Sequence, residues 1–247
     1  RYKIVSTLYA VGCSHTRYCW PTYADILGQE YDKFENWGQS GFGNLAIMHR
    51  ALEIAEQAGP DDKIIVQWTY PTRFDFHRKG DGWYQGGNLQ HNFDQVQQTI
   101  NRYCYDPDSY QWHTETYVKL TKQYLDINVG DFHMLGADFD VTEVVEFPDS
   151  KEALPPLWIM HDLDIPHRKF LNVRPSRNAI PRKEQDDHWT PRHHLKYLEH
   201  AGFTITDKML QYVNEAESIL DEITDWKWIN HTMVEKGYTE GGDYGRF

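Results

Sequence analysis

The stretch Lys63-Ile64-Ile65-Val66-Gln67-Trp68 has a continuous apolar centre, which is typical of a strand buried on both faces of a sheet. A helical pattern precedes it over Leu45 to Ala58, bounded by Asn44 as cap and by Gly59-Pro60. The apolar residues of this pattern are Leu45, Met48, Leu52, Ala55 and Ala58. Together with an apolar run over Ile4 to Val11, the order strand, helix, strand predicts a βαβ unit. We therefore expect an α/β fold with a mainly parallel sheet.

The remaining elements are predicted from the same periodicities. We expect helices over Thr16 to Leu27, Tyr110 to Leu125, Pro191 to His200 and Asp207 to Ile223, and strands over Asp32 to Asn36, Phe132 to Leu135 and Leu157 to Met160. Residues 74–110 are rich in Gly, Asn, Gln, His and aromatic side chains, which predicts an irregular insertion. The expected organisation is one α/β domain over 1–205, with a C-terminal helix and tail over 206–247 packed on it or extending from it.

Composition excludes several classes of partner. The chain carries 25 basic and 37 acidic side chains, for a formal net charge of −12, so we expect neither a nucleic-acid nor an anionic-membrane partner. No apolar run approaches the ~20 residues of a membrane span. Arg1 to Val5 shows no charged-then-apolar leader, and the number of cysteines is odd, which favours a reducing, intracellular compartment. A homo-oligomer is compatible with these features.

Three stretches carry residues suited to chemistry. Gly12-Cys13-Ser14-His15-Thr16 places a serine where the first strand ends and a helix is expected, at the carboxyl edge of the sheet. Amides at that helix N-terminus would stabilise an oxyanion. Residues 36–44 contain three glycines, which allow backbone amides to approach a ligand closely. Residues 186–191 place a histidine beside aspartates, a combination that supplies a general base and its orienting carboxylate.

In this order the three stretches resemble the blocks of the SGNH (GDSL-like) hydrolase superfamily. Gly12-Cys13-Ser14-His15 is similar to the first block, Gly-Asp-Ser, with cysteine in the aspartate position. Asn36-Trp37-Gly38-Gln39-Ser40-Gly41 resembles the second block, Asn-x-x-x-Ser-Gly, and Asp186-Asp187-His188-Trp189 resembles the Asp-x-His-Trp motif of the alginate-acetylation branch. The resemblance spans Ile4 to about His200, and the chain is also similar to small uncharacterised members from marine phage genomes.

The resemblance implies a fold and a set of catalytic residues. The fold is a three-layer α/β/α sandwich with a mainly parallel, flavodoxin-like sheet. The nucleophile falls on Ser14, the base on His188 and the orienting carboxylate on Asp186. Many members carry that aspartate three residues before the histidine, where this chain has Gln185.

The oxyanion donors carry over only in part. The resemblance implies the amides of Ser14 and Gly41, but the block that normally supplies an asparagine is here Trp68-Thr69-Tyr70-Pro71-Thr72-Arg73. Thr69, Arg73 and Asn44 are the candidates to replace that asparagine. Because Pro71 stiffens the loop after a buried strand, Arg73 is predicted to reach the site and stabilise an oxyanion or bind an acidic group of the substrate.

The expected function is that of a serine esterase cleaving an acyl ester, such as a short acyl group on a carbohydrate. No metal or organic cofactor is implied. Two alternatives remain open: an O-acetyltransferase on the same scaffold, and a non-catalytic binding module, for example a viral structural protein, that keeps the fold. A thiol nucleophile at Cys13 and a metal site among the thirteen histidines are weaker alternatives, since no zinc signature is present.

The aromatic residues of the insertion admit three interpretations. They are Trp83, Tyr84, Tyr103, Tyr105, Tyr110 and Trp112. They suit a carbohydrate platform or lid, a small satellite core under a long loop, or a surface that binds another protein.

Overall fold

A four-stranded parallel sheet lies at the centre of the computed structural model, which describes residues 6–80, 82–89, 94–148, 152–162, 188–223 and 225–241. The strands are β1 (Thr7–Val11), β2 (Lys33–Asn36), β3 (Lys63–Trp68), β4 (Arg73–Arg78), β5 (Gly82–Asn88) and β6 (Phe132–Gly136). The central sheet has the order β2-β1-β3-β6 with parallel pairing throughout, while β4 and β5 form a separate antiparallel hairpin. The predicted α/β class with a mainly parallel sheet is confirmed.

Helices cover both faces of this sheet. They are α1 (Tyr23–Gly28), α2 (Asn44–Gln57), α3 (Gln95–Tyr103), α4 (Pro107–Asn128), α5 (Pro191–His200), α6 (Asp207–Glu222) and α7 (Trp226–Glu235). Side chains alternate along β1, so Tyr9 and Val11 pack with α2 and α4, whereas Leu8 and Ala10 pack with α1, α5 and α6. This arrangement is consistent with a three-layer α/β fold.

The predicted helix after β2 is confirmed in place but not in its buried face. Gly43 is the N-cap, and the helix begins at Asn44. Its buried apolar residues are Ala46, Ile47, Ala51, Ile54 and Ala55, so of the predicted stripe only Ala55 is fully buried, while Leu45, Met48, Leu52 and Ala58 are partly buried. Both sets of residues recur at helical spacing, and the contacts of α2 with β3, β4 and α4 decide which set is buried.

Three local predictions are wrong. Only Tyr23–Gly28 of the predicted helix over Thr16 to Leu27 is helical. Leu157–Asp162 forms a 3₁₀ turn instead of a strand, in keeping with Pro155 and Pro156 before it, which cannot donate to a ladder. The insertion contains the β4–β5 hairpin and α3, so it is more regular than its composition indicates.

The C-terminal helices pack against the rest of the described chain. α6 contacts α1 and α5, and α7 contacts α6. A separate apolar cluster joins them to the loop after β1 and contains Tyr18, Cys19, Trp20, Ala216, Ile219, Leu220, Ile229 and Met233. Among the described residues, no helix is both long and apolar enough to cross a membrane.

Candidate functional site

Ser14 lies in a buried loop directly after β1, with only 3% of its surface exposed. Gln67, near the end of β3, holds this loop: its Oε1 accepts hydrogen bonds from Cys13 N at 3.2 Å, Cys13 Sγ at 3.3 Å and Thr16 Oγ1 at 3.1 Å. A Cβ at Gly12 would lie 2.1 Å from Thr16 Oγ1, so the turn requires glycine. The Cys13 thiol therefore packs against β3, and the next residue, Ser14, is the candidate nucleophile.

The prediction that a helix begins directly behind Ser14 is wrong. α1 starts only at Tyr23, after Pro21 and with Thr22 as its N-cap. The Asp25 carboxylate accepts hydrogen bonds from Thr22 N at 2.8 Å and from Thr22 Oγ1 at 2.9 Å. The first turn of α1 is thus capped by Thr22 and Asp25. Its amides are therefore not the oxyanion donors predicted directly behind Ser14.

Asn36, the last residue of β2, ties the same loop to the sheet. Its Nδ2 donates to Thr16 O at 2.9 Å and to Asp25 Oδ1 at 3.2 Å, and its Oδ1 accepts from Gly38 N at 3.1 Å. Burial raises the pKa of Asp25 to about 6, although hydrogen bonds from Thr22 and Asn36 act in the opposite direction. Asn36 therefore positions the loop between β1 and α1 (residues 12–22, the nucleophile loop) instead of facing a ligand.

His188 and Ser14 meet although they lie at opposite ends of the chain. The Ser14 Oγ and His188 Nε2 atoms are 2.9 Å apart, which confirms the predicted proximity. The Tyr18 ring stacks on the His188 imidazole with centroids 3.9 Å apart and planes at 19°. Trp20 Nε1 donates to the Trp189 carbonyl at 2.8 Å. The nucleophile loop thus contacts the His188 ring through Tyr18 and the backbone of Trp189 through Trp20.

Other histidines near this pair are held in the neutral form. His15 packs against His188 and Trp189, with ring centroids 5.4 Å and 5.0 Å away. Burial, followed by the charges of His188 and Arg73, lowers the pKa of His15 well below its ordinary value. Burial also lowers the pKa of His194 to about 3. Both lack a hydrogen-bond partner at Nδ1, so these imidazoles act here as packing groups.

The glycine-rich second block runs beside the nucleophile loop. Gln39 N donates to Gly12 O at 3.0 Å, and Phe42 N donates to Gln39 O at 3.2 Å. Gly41 has φ +84°, which is characteristic of the third position of a type II turn and favours glycine. The hydrogen bond of such a turn does not use the amide of its third residue. The Gly41 amide therefore remains a candidate oxyanion donor.

The N-terminus of α2 is not available to a ligand. Asp75 Oδ2, from β4, accepts hydrogen bonds from Gly43 N at 2.8 Å and from Ala46 N at 3.0 Å. Burial raises the pKa of Asp75 to about 6 despite these bonds. The hairpin thus caps the helix, and Gly87 N of the same hairpin donates to Gly41 O at 3.2 Å.

Asn44 does not replace the family's oxyanion asparagine, because both of its amide hydrogens are already donated. Nδ2 donates to Thr69 O and to Thr114 Oγ1, each at 3.0 Å, and Oδ1 accepts from Thr69 N at 2.8 Å. Asn44 instead holds the backbone after β3. The Thr69 hydroxyl is buried and has no hydrogen-bond partner among the described residues, so Thr69 remains a candidate donor.

Arg73 lies beside the turn that follows the second block, and its predicted role at Ser14 stays a prediction. Its Nη1 donates to Phe42 O at 3.3 Å, and its guanidinium carbon is 5.6 Å from the centroid of the Tyr70 ring. Its Nε is buried without a hydrogen-bond partner. The influence of Arg73 on the pKa of His15 indicates that its charge reaches the nucleophile loop.

No family model and no curated protein match this chain. The SGNH resemblance therefore rests on the sequence motifs alone. Asp186, predicted as the orienting carboxylate, and its neighbour Asp187 lie outside the described residues.

The structure bears in part on two other interpretations, the metal site and the aromatic residues of the insertion. In the part of the chain that the structure describes, no group of three or more His, Cys, Asp or Glu side chains is arranged to hold a metal. Of the insertion aromatics, Tyr84 is buried and stacks on Phe76 at 4.9 Å, whereas Tyr103 and Trp112 are exposed. The carbohydrate platform stays a prediction.

Four positioning residues were missed at the sequence level: Gln67, Asp25, Asp75 and Tyr18. Gln67 had a signal, as a polar side chain between Val66 and Trp68 in an otherwise apolar strand. Asp25 also had a local signal, since Thr22 and Asp25 have the spacing of a capping box. The partners of Tyr18 and Asp75 come from distant segments, so no local pattern identifies those two residues.

Proposed function

We propose that the protein is a serine esterase of the SGNH type that cleaves a short acyl ester, such as one on a carbohydrate. The observation that carries this proposal is the 2.9 Å separation between Ser14 Oγ and His188 Nε2. That separation lies within the range in which a histidine can remove the proton of an attacking hydroxyl. Ser14 also follows the carboxyl end of a parallel strand, and α/β enzymes bind their ligands at this edge of the sheet.

The first half of the reaction acylates Ser14. Its Oγ attacks the ester carbonyl carbon while His188 Nε2 takes the hydroxyl proton, and the carbonyl π electrons move to oxygen. The tetrahedral intermediate then collapses, the bond to the alcohol oxygen breaks, and His188 returns the proton to that leaving group. Nε2 must be the unprotonated nitrogen at the start, so the tautomer with hydrogen on Nδ1 is the active one. The stacked Tyr18 ring restrains the plane of the imidazole, and in this arrangement Nε2 lies 2.9 Å from Ser14 Oγ.

The second half releases the acid. His188 removes a proton from water, the hydroxide attacks the acyl carbon, and Ser14 leaves with the proton returned to its Oγ. By the family resemblance, Asp186 orients the imidazole and stabilises its charged form. Capture of the acyl group by a sugar hydroxyl instead of water would make the same site an O-acetyltransferase.

Three donors are proposed for the oxyanion. The amides of Ser14 and Gly41 follow from the resemblance, and Thr69 Oγ1 is our candidate for the third. Support comes from its buried, unpartnered state and from side-chain alternation, which places Thr69 on the same side as Gln67, whose side chain contacts Cys13. Removing one such donor typically lowers turnover by ~10²–10³-fold.

The test is covalent labelling with a fluorophosphonate, which reacts with activated serines. We expect stoichiometric labelling of the wild type and none of Ser14→Ala, with unchanged thermal unfolding of the variant. Ser218→Ala, which alters an exposed serine on α6, is the matched control and should label fully. Cys13→Ala should also label, because the thiol packs against Gln67.

The outcome that overturns the proposal is a well-folded wild type that takes up no label. Such a result would favour the non-catalytic binding module. Labelling that persists in Ser14→Ala would instead assign the nucleophile to another residue.

A further inference from the structure

Arg73 is a half-buried cation without an anionic partner. Within the described residues, no carboxylate oxygen lies within 4.0 Å of its guanidinium. Its only hydrogen-bond partner there is the Phe42 carbonyl at 3.3 Å, and its Nε has none. A half-buried guanidinium without an ion pair bears part of the desolvation cost of a charge, and such a group is unexpected in a chain with 37 acidic side chains.

The neighbouring acids, Asp75 and Asp138, interact with the charge of Arg73 but form no ion pair with it. Asp75 Oδ2 accepts the two amides at the start of α2. Asp138, which follows β6, is influenced by the charge of Arg73, but partial burial dominates and raises its pKa. The charge of Arg73 favours the ionised form of each acid, but neither acid lies within ion-pair distance of the guanidinium.

The segment after β3 places Arg73 next to the turn that contains Gly41. The residue opens β4, directly after the loop that leaves β3, and its guanidinium sits against Phe42. Phe42 follows Gly41, and Gln39 of the same turn is bonded to Gly12. Arg73 is therefore linked through one turn to the backbone two residues before the candidate nucleophile.

We propose that Arg73 binds a carboxylate of the substrate, so that the preferred esters are anionic. The inference rests on the proposed esterase function and narrows its substrate class. A guanidinium pairs with a carboxylate through two parallel hydrogen bonds, and its Nε is one of the two donors that such a pair uses. The carboxylate belongs either to the acyl group, as in a hemisuccinate, or to the alcohol, as in an acetylated uronic acid.

The experiment compares kcat/KM for two matched pairs of esters. The acyl pair is 4-nitrophenyl acetate and the 4-nitrophenyl monoester of succinate; the alcohol pair is acetylated glucose and acetylated glucuronate. For the pair that carries the recognised carboxylate, Arg73→Gln should lower the anionic-to-neutral ratio at least ~10-fold, with Arg73→Lys intermediate. Arg102→Gln, which removes an exposed charge on α3, is the control and should leave both ratios unchanged.

Equal ratios in the wild type and Arg73→Gln for both pairs overturn the inference while leaving the esterase proposal intact. A failed fluorophosphonate reaction overturns the esterase proposal instead. In that case calorimetry with succinate and glucuronate tests the carboxylate site directly. Binding that weakens at least ~10-fold in Arg73→Gln supports the site, and equal or absent binding in both proteins overturns it.

Discussion

Two loops meet at the carboxyl end of the sheet, and they use their polar atoms differently. In the loop after β1, donors of Cys13 and Thr16 are satisfied by Gln67, and the Thr16 carbonyl is satisfied by Asn36. The exception in this loop is His15 Nδ1, whose ring packs on the rings of His188 and Trp189. In the segment after β3, the backbone of Thr69 is held by Asn44, but the Thr69 hydroxyl and Arg73 Nε have no partner.

The difference separates groups that build the site from groups that are available to a ligand. Buried polar atoms are almost always hydrogen-bonded, so each exception calls for an explanation. The first loop holds the Ser14–His188 pair in place. The second segment presents unsatisfied donors, which is the arrangement expected where a substrate supplies the acceptors. Four predictions test this distinction.

The largest effect is expected from the base itself. His188→Gln should lower kcat on a neutral ester by about 10⁴-fold, because Ser14 then loses its proton acceptor. Steady-state kinetics on the purified variant give the value, and His200→Gln, at an exposed position on α5, is the control. An unchanged kcat would show that His188 is not the base that activates Ser14.

The second prediction compares the effects of substituting Thr69 and Asn44 on kcat and on the free energy of unfolding. Thr69→Val should lower kcat by about 10²-fold while the free energy of unfolding changes by less than ~1 kcal/mol, because the hydroxyl has no partner to lose. Asn44→Ala should instead cost at least ~2 kcal/mol of that free energy, since it leaves the buried amide and carbonyl of Thr69 unpaired. Urea unfolding and kinetics on both variants separate the two roles.

If Thr69→Val keeps wild-type turnover, the third oxyanion donor must be sought elsewhere. If it destabilises the fold as much as Asn44→Ala does, the hydroxyl belongs to the structural group, and the contrast between the two loops is lost.

The third prediction concerns the tightness of the nucleophile loop. Gly12→Ala should destabilise the fold by about 1–3 kcal/mol, because the new Cβ would lie 2.1 Å from Thr16 Oγ1 and 2.7 Å from Gln67 Oε1. Gly130→Ala is the control: its Cβ would meet no atom closer than 3.7 Å. Equal thermal unfolding of the two variants would contradict the close packing of this loop.

The smallest effect is a pair of opposite pH dependences. The folded pKa of Asp25 is raised to about 6, above the ordinary ~3.9 of the unfolded chain, so its contribution to stability is full below pH ~4 and lost as the pH rises through 6. The folded pKa of His194 is lowered to about 3, so its contribution is present above pH ~6.5 and lost as the pH falls.

Urea unfolding at pH 7 and 4.5 measures both contributions. On going to pH 4.5, the wild type should gain about 2 kcal/mol relative to Asp25→Asn and lose about 2 kcal/mol relative to His194→Gln. Parallel changes in all three proteins would contradict the raised pKa of Asp25 and the lowered pKa of His194.

Much of the architecture could be predicted from the sequence because it depends on local patterns. β3 over Lys63–Trp68 and α5 over Pro191–His200 are confirmed to the residue, since apolar runs and a threonine-proline start are signals within a few positions. The proximity of Ser14 and His188 was also predicted, from the order of three short motifs.

Tertiary structure decided what local patterns leave open. The apolar stripe that α2 buries was selected by its neighbours, because two stripes satisfy the same periodicity. The role of Asn44 changed from candidate donor to backbone clamp, because Thr69 and Thr114 take up its amide. Whether a buried polar group is structural or available to a ligand depends on partners from distant segments, and only the folded chain brings those partners together.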